Sequence, residues 1–168
     1  MAIAMPVAAA NIITQVVAAG SRSASVANLT LGGMTTAHID QTNTGTMVLS
    51  ADDSTGSNLG WNVTILSSAF VYSGANSGVD IPAADFSLTS AAAAVRTAGQ
   101  AVNGVGGPKV PVISPVGTLD SARKTLQALA LFGNGTYTQD LGVSLLIPAD
   151  SAAGTYTGTL TTTISAGP

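Results

Sequence analysis

Residues 137–147, YTQDLGVSLLI, decide the fold. Tyr137, Gln139, Leu141, Val143, Leu145 and Ile147 fall on one parity, and Thr138, Asp140, Gly142 and Ser144 on the other. Successive side chains of a strand point to opposite faces, so this period of two describes a strand with one buried face. Pro148 ends the run, and the turn over residues 148–154 leads into residues 155–164, where Tyr156, Leu160 and Ile164 share a face against threonines. These two runs are expected to be antiparallel strands of a hairpin or Greek key.

Upstream, Trp61, Val63 and Ile65 alternate with Asn62 and Thr64 after a polar turn over residues 52–60. Residues 26–31 alternate Val26, Asn28 and Thr30 with Ala27, Leu29 and Leu31 until Gly32-Gly33 stops them. Residues 46–51, 70–72 and 86–89 read as further short strands, and the glycines from Gly99 to Gly107 mark a long loop. In residues 118–132 a helix competes with a strand, and the alternation of Thr125, Gln127, Leu129 and Leu131 with Leu126, Ala128 and Ala130 favours the strand. About eight strands separated by Gly, Pro and Asn turns predict an all-β chain: an antiparallel β-sandwich, Greek-key or jelly-roll-like, with at most one short helix. The expected core is Leu29, Leu31, Val48, Trp61, Val63, Ile65, Phe86, Leu141, Val143, Leu145, Ile147, Tyr156, Leu160 and Ile164.

Composition narrows the function classes. A chain of 168 residues suits one domain. Only 8% of residues are charged, against 46% hydrophobic, and glutamate is absent, which excludes long solvated helices. The mean hydropathy of +0.44 argues for folding over disorder. With 5 basic and 8 acidic residues the net charge is −3, so no basic surface exists to neutralise a phosphate backbone, and nucleic acid is excluded as a partner. The apolar blocks are too short for a spanning helix, so no membrane span is expected. Cysteine is absent, which removes disulfides and thiolate metal sites. Ala, Gly, Ser and Thr dominate, the composition of an uncharged, protease-resistant extracellular surface.

Residues 1–10, MAIAMPVAAA, resemble the end of a secretory signal, with an A-x-A site at Ala8 and Ala10 but without a basic n-region. They are expected to be a signal-peptide remnant, and the protein is expected to be secreted and to act at the cell surface. Residues 11–25 are expected to be an N-terminal strand and flexible linker ahead of a single sandwich domain over residues 26–168. In that strand Ile12, Ile13, Val16 and Val17 form a β-capable run, followed by the small residues 18–25, which extend to roughly 26 Å at about 3.3 Å per residue. A strand so tethered can complete the sheet of a neighbouring subunit, which makes a homo-oligomer through sheet edges the expected partner. Sequons at Asn28, Asn62 and Asn134 read as incidental in a threonine-rich chain.

Chemistry is sparse. His38 is the single histidine, in a polar stretch two residues before Asp40, and reads as a surface residue. No G-x-S-x-G elbow occurs and no pair of carboxylates stands out, so an enzyme is not expected. Asp52, Asp53 and Asn58, with nearby serines, concentrate oxygen ligands of the kind Ca²⁺ takes, but the spacing misses the EF-hand pattern, and the same residues are the ordinary ones of β-turns. Asp120, Arg123 and Lys124 form a local charge cluster read as a solvated turn. Trp61 falls on the apolar parity and is expected in the core; exposed, it would be a glycan contact. No cofactor is expected.

The segment Gly60-Trp61-Asn62-Val63-Thr64, the Ile81-Pro82-Ala83 turn and residues 147–160, IPADSAAGTYTGTL, together resemble the WxL-type surface domains of Gram-positive bacteria over roughly residues 26–165. The resemblance implies an exported, β-rich domain associated with the peptidoglycan wall. Here Val63 stands where the family has leucine, and Thr162-Thr163-Ile164 where it has a second tryptophan. What the resemblance implies as an alternative role is binding of a cell-wall glycan.

Overall fold

The computed structural model describes residues 13–113 and 115–168. Its strands, in chain order, are β1 (Arg22–Val26), β2 (Gln41–Asp53), β3 (Trp61–Ser67), β4 (Val71–Ser73), β5 (Phe86–Ala91) and β6 (Val95–Gly99). They continue with β7 (Gly117–Thr118), β8 (Arg123–Ala128), β9 (Gly135–Ile147), β10 (Thr155–Thr157) and β11 (Leu160–Ala166). The one helical element among the described residues is the 3-10 turn Ala83–Asp85.

All ladders are antiparallel. The first sheet runs β1-β2-β9-β5-β7, with β6 also on β9; the second runs β11-β3-β8; β10 and β4 form a separate ribbon. The fold is therefore all-β and sandwich-like, as the alternation in residues 137–147 requires. Met47, Leu49, Ala51, Tyr137, Leu141, Val143 and Leu145 of the first sheet face Trp61, Val63, Ile65, Leu126 and Ala128 of the second. Gln139 is buried in the same row, where its Nε2 donates to the carbonyls of Ala92 and Thr125.

The two central strands are longer than the sheet that covers them. β2 and β9 each have 13 residues and pair over their whole length, from Gln41 opposite Ile147 to Asp53 opposite Gly135. β3 and β11 have 7 each. Trp61 packs beside Tyr137, at the Asp53 end, so the second sheet is flush with that pole. At the other pole the second sheet ends at Ser67, whose amide donates to the Leu119 carbonyl while the Leu119 amide donates to the carbonyl of Phe86, opposite Leu145, and β2 and β9 continue past it toward Gln41 and Ile147.

The flush pole is closed. Trp61 is 0% exposed, and its Nε1 donates to the Gly133 carbonyl at 2.9 Å. Gly133 has φ +82°, and a Cβ there would lie 2.6 Å from Trp61 Nε1, so only glycine allows the turn to seat on the indole. Beside it, Arg22 Nη2 reaches Asp53 Oδ2 at 2.9 Å.

Several expectations need correction. The linker expected over residues 18–25 ends early, because Arg22–Val26 is β1, paired to β2 from Arg22 opposite Asp53 to Val26 opposite Leu49. Residues 27–31, expected to be strand, form none. Val48 points outward, since Met47, Leu49 and Ala51 take the inner parity of β2. Leu29 stays 36% exposed. Leu31, Ile147, Tyr156, Leu160 and Ile164 are partly buried at the rim of the core. The two C-terminal runs do not pair with each other: β9 pairs with β2, and residues 155–164 break at Gly158 and Thr159 into β10 on β4 and β11 on β3.

Candidate functional site

The residues singled out for chemistry are dispersed or already committed. Asp52 and Asp53 are the last residues of β2, not a turn, and adjacent strand residues point to opposite faces. Asp52 Oδ1 accepts from Thr136 Oγ1 at 2.7 Å. Asp53 Oδ1 accepts from the Thr55 amide and hydroxyl, while its Oδ2 holds Arg22. Burial pushes the Asp53 carboxyl up, but the hydrogen bonds from Thr55 and Arg22 and the guanidinium charge outweigh it, and the group lies below the usual carboxylate range. Asn58, with φ +57°, uses its carbonyl to accept from the Leu131 amide at 2.9 Å. These oxygens serve the local fold and do not converge on a cation site; no group of three His, Cys, Asp or Glu side chains gathers among the described residues.

His38 and Asp40 do not act as a pair. Asp40 Oδ1 accepts from the Ala149 amide, and His38 Nδ1 meets Asp150 Oδ1, 112 residues away in sequence, with both side chains in solvent. Arg123 of the expected charge cluster instead donates through Nε to the Thr118 carbonyl at 2.9 Å. Trp61, the glycan candidate, is inaccessible without opening the core.

A different arrangement emerges at the two poles. Gly20 N donates to the Ser54 carbonyl and Ser54 N to the Ser21 carbonyl, so β1 is anchored to β2 up to the closed pole. Before Gly20 the chain leaves the sandwich. Ile13, Val16 and Val17 are 96%, 79% and 88% exposed, and residues 13–19 make no backbone-to-backbone hydrogen bond among the described residues. The expected strand is not formed in residues 13–17, and Ile12 lies outside the described residues.

At the opposite pole the overhang of β2 and β9 is only partly roofed. Residues 27–31 cross it, and Leu29 and Leu31 press toward Gly45, where a Cβ would meet them at 3.0 and 2.9 Å. Phe70 and Phe86 stack edge to face at 5.2 Å, with Phe70 bridged to Ile81. Between this roof and the start of β11 lies a groove of about 430 Å³, lined by Val26, Leu29, Leu31, Met47, Phe70 and Phe86 together with Asn28, Ser67 and residues 157–160. None of its lining residues is charged. Along its wall Ala27 N still donates to the Val48 carbonyl, but residues 28–31 make no backbone-to-backbone hydrogen bond among the described residues. Sequence reasoning found the apolar run near the N-terminus; it missed the groove, whose walls come from five separate stretches of chain.

The other outer edge is better covered. The free side of β8 is bridged by Lys109, whose amide and carbonyl both bond Gln127, and Gly106 accepts from the Leu129 amide. Among the described residues, β1 and β11 each have a partner on one side only, and they lie next to one another at the opposite edge of the sandwich.

Comparison with protein-family models, with curated proteins and with solved structures finds no match to this chain.

Proposed function

We propose that this protein is a non-enzymatic extracellular structural subunit, which acts at a cell surface by assembling with copies of itself. The observation that carries this reading is the uncovered apolar run at Ile13, Val16 and Val17, joined to a sandwich whose β1 and β11 edges are open. Apolar side chains on a segment that makes no backbone-to-backbone hydrogen bond among the described residues are a strand without a sheet, and an open edge is a sheet without its last strand. The composition supports an exposed setting: 8% charged residues and no cysteine to depend on a redox compartment. The scarcity of ionisable groups, with the single histidine on the surface, supports a structural role over catalysis.

The alternative, a peptidoglycan-binding module of the WxL kind, rests on the sequence resemblance. The burial of Trp61 weighs against it, because a glycan platform needs an accessible aromatic face.

Negative-stain microscopy and light scattering of the full chain test the proposal. Filaments or rings are expected. Removal of residues 1–17 should abolish them; a truncated chain with the same assembly state and melting temperature as the full one contradicts strand donation.

A further inference from the structure

Resting on that reading, we propose that the uncharged groove at the open pole is the acceptor for residues 13–17 of a second copy, so that subunits join pole to pole with one polarity. Three observations lead here. The donor leaves the domain at Gly20, tied to Ser54, whereas the groove opens beyond Met47 and Val26 toward the far end of β2. The two lie at opposite ends of the sandwich, so a copy stacked on the axis brings one to the other.

The donor, residues 13–17, spans about 17 Å at roughly 3.3 Å per residue, with residues 18 and 19 as its tether to Gly20. Its chemistry fits the groove: ITQVVAA carries no charge, and neither does any residue lining the groove. A charge brought into such a slot would lose its hydration without a partner.

The wall also offers the main-chain groups that strand addition needs. Among the described residues, residues 28–31 make no backbone-to-backbone hydrogen bond beside the slot, and neither do residues 13–19, where the Val16 carbonyl accepts only from the Gln15 side chain. Pairing the two satisfies both sets, while alternate donor side chains enter between Leu29, Met47 and Phe86. Because donor and acceptor are different surfaces of one chain, the contact is heterologous, and it propagates unless a rotation closes it.

The absence of cysteine makes a direct test simple. Full-length Val16→Cys or Val17→Cys, which sample the two faces of the donor, is mixed with full-length Leu29→Cys under mild oxidant. Ala27→Cys, on the same wall, serves if Leu29→Cys does not fold, and Val95→Cys on the exposed β6 is the control. A disulfide needs Cβ atoms about 4 Å apart, so the expected result is a heterodimer at least about ten-fold above the Val95 control. Assembly without groove cross-linking above that control overturns the acceptor assignment and leaves the assembly reading standing. A full chain that stays monomeric at every concentration overturns both. A Val16→Cys, Leu29→Cys double variant that closes within one chain at high dilution shows that the segment returns to its own groove, and overturns donation between copies.

Discussion

The two poles of this sandwich are built from the same kinds of residue and finished in opposite ways. At the closed pole the two sheets end level, the single tryptophan fills the space between them, and a glycine turn seats on the indole. At the other, β2 and β9 run on past the seven-residue β3 with β5 still paired to β9 at Phe86 and Leu145, and residues 27–31 roof the space, leaving Leu29 36% exposed. The difference teaches that hydrophobic composition does not by itself close a core; matched strand lengths do. A 13-residue ladder against a 7-residue one leaves apolar surface that must be roofed by a loop or by another chain.

The largest expected effect is therefore at the closed pole. Trp61→Ala should lower stability by about 3–5 kcal/mol through lost burial and a cavity, read by urea denaturation followed by circular dichroism. Native Trp61 should emit as a buried indole, and emission at the wavelength of a hydrated one would contradict the closed pole.

The Arg22–Asp53 pair comes next. Arg22→Ala should cost about 2 kcal/mol, less than the roughly 3–5 kcal/mol of a fully buried pair, because Arg22 keeps some access to water. Asp53 titrates below the usual carboxylate range in the folded protein, so its contribution is full above that range and disappears as pH falls through the folded value. Melting curves of wild type and Arg22→Ala should converge in acid; a gap that stays constant down to the lowest pH tested would show that the carboxylate is not the partner that matters.

A smaller loss, about 1 kcal/mol, is expected for Tyr137→Phe, which removes the hydroxyl donated to the Gln100 carbonyl at 2.7 Å. The smallest effect on the isolated domain belongs to the open pole. Leu29→Ser should change its stability by no more than about 0.5–1 kcal/mol, as for other half-exposed positions, while weakening assembly. If instead it destabilises the monomer as Trp61→Ala does, the two poles are alike and the contrast fails.

How much of this was legible in the sequence follows from what each strand buries. β9 reads clearly because one of its faces is fully buried and the other is not, from Tyr137 to Leu145. β1 was invisible: Ser23, Ala24 and Ser25 carry no apolar parity, since an edge strand is held by its ladder to β2 more than by its side chains. Met47, Val48 and Leu49 are a continuous apolar run, where parity is undecidable until the partner strand is known, so the sequence does not show that Val48 faces outward. The break at Gly158 and Thr159 was hidden because both sides are rich in β-branched residues that suit either sheet. At the candidate site, Ile13, Val16 and Val17 were legible as a run; the groove was not, because Val26, Met47, Phe70, Phe86 and Leu160 meet only in the fold.

The contrast between the poles is tested most directly by small-angle X-ray scattering of the full chain over a concentration series. The account predicts that the longest dimension grows in steps of about 40 Å, the length of a 13-residue strand at roughly 3.4 Å per residue, while the cross-section stays that of one sandwich. A dimension that never exceeds one domain, or growth that widens the cross-section instead, would contradict it.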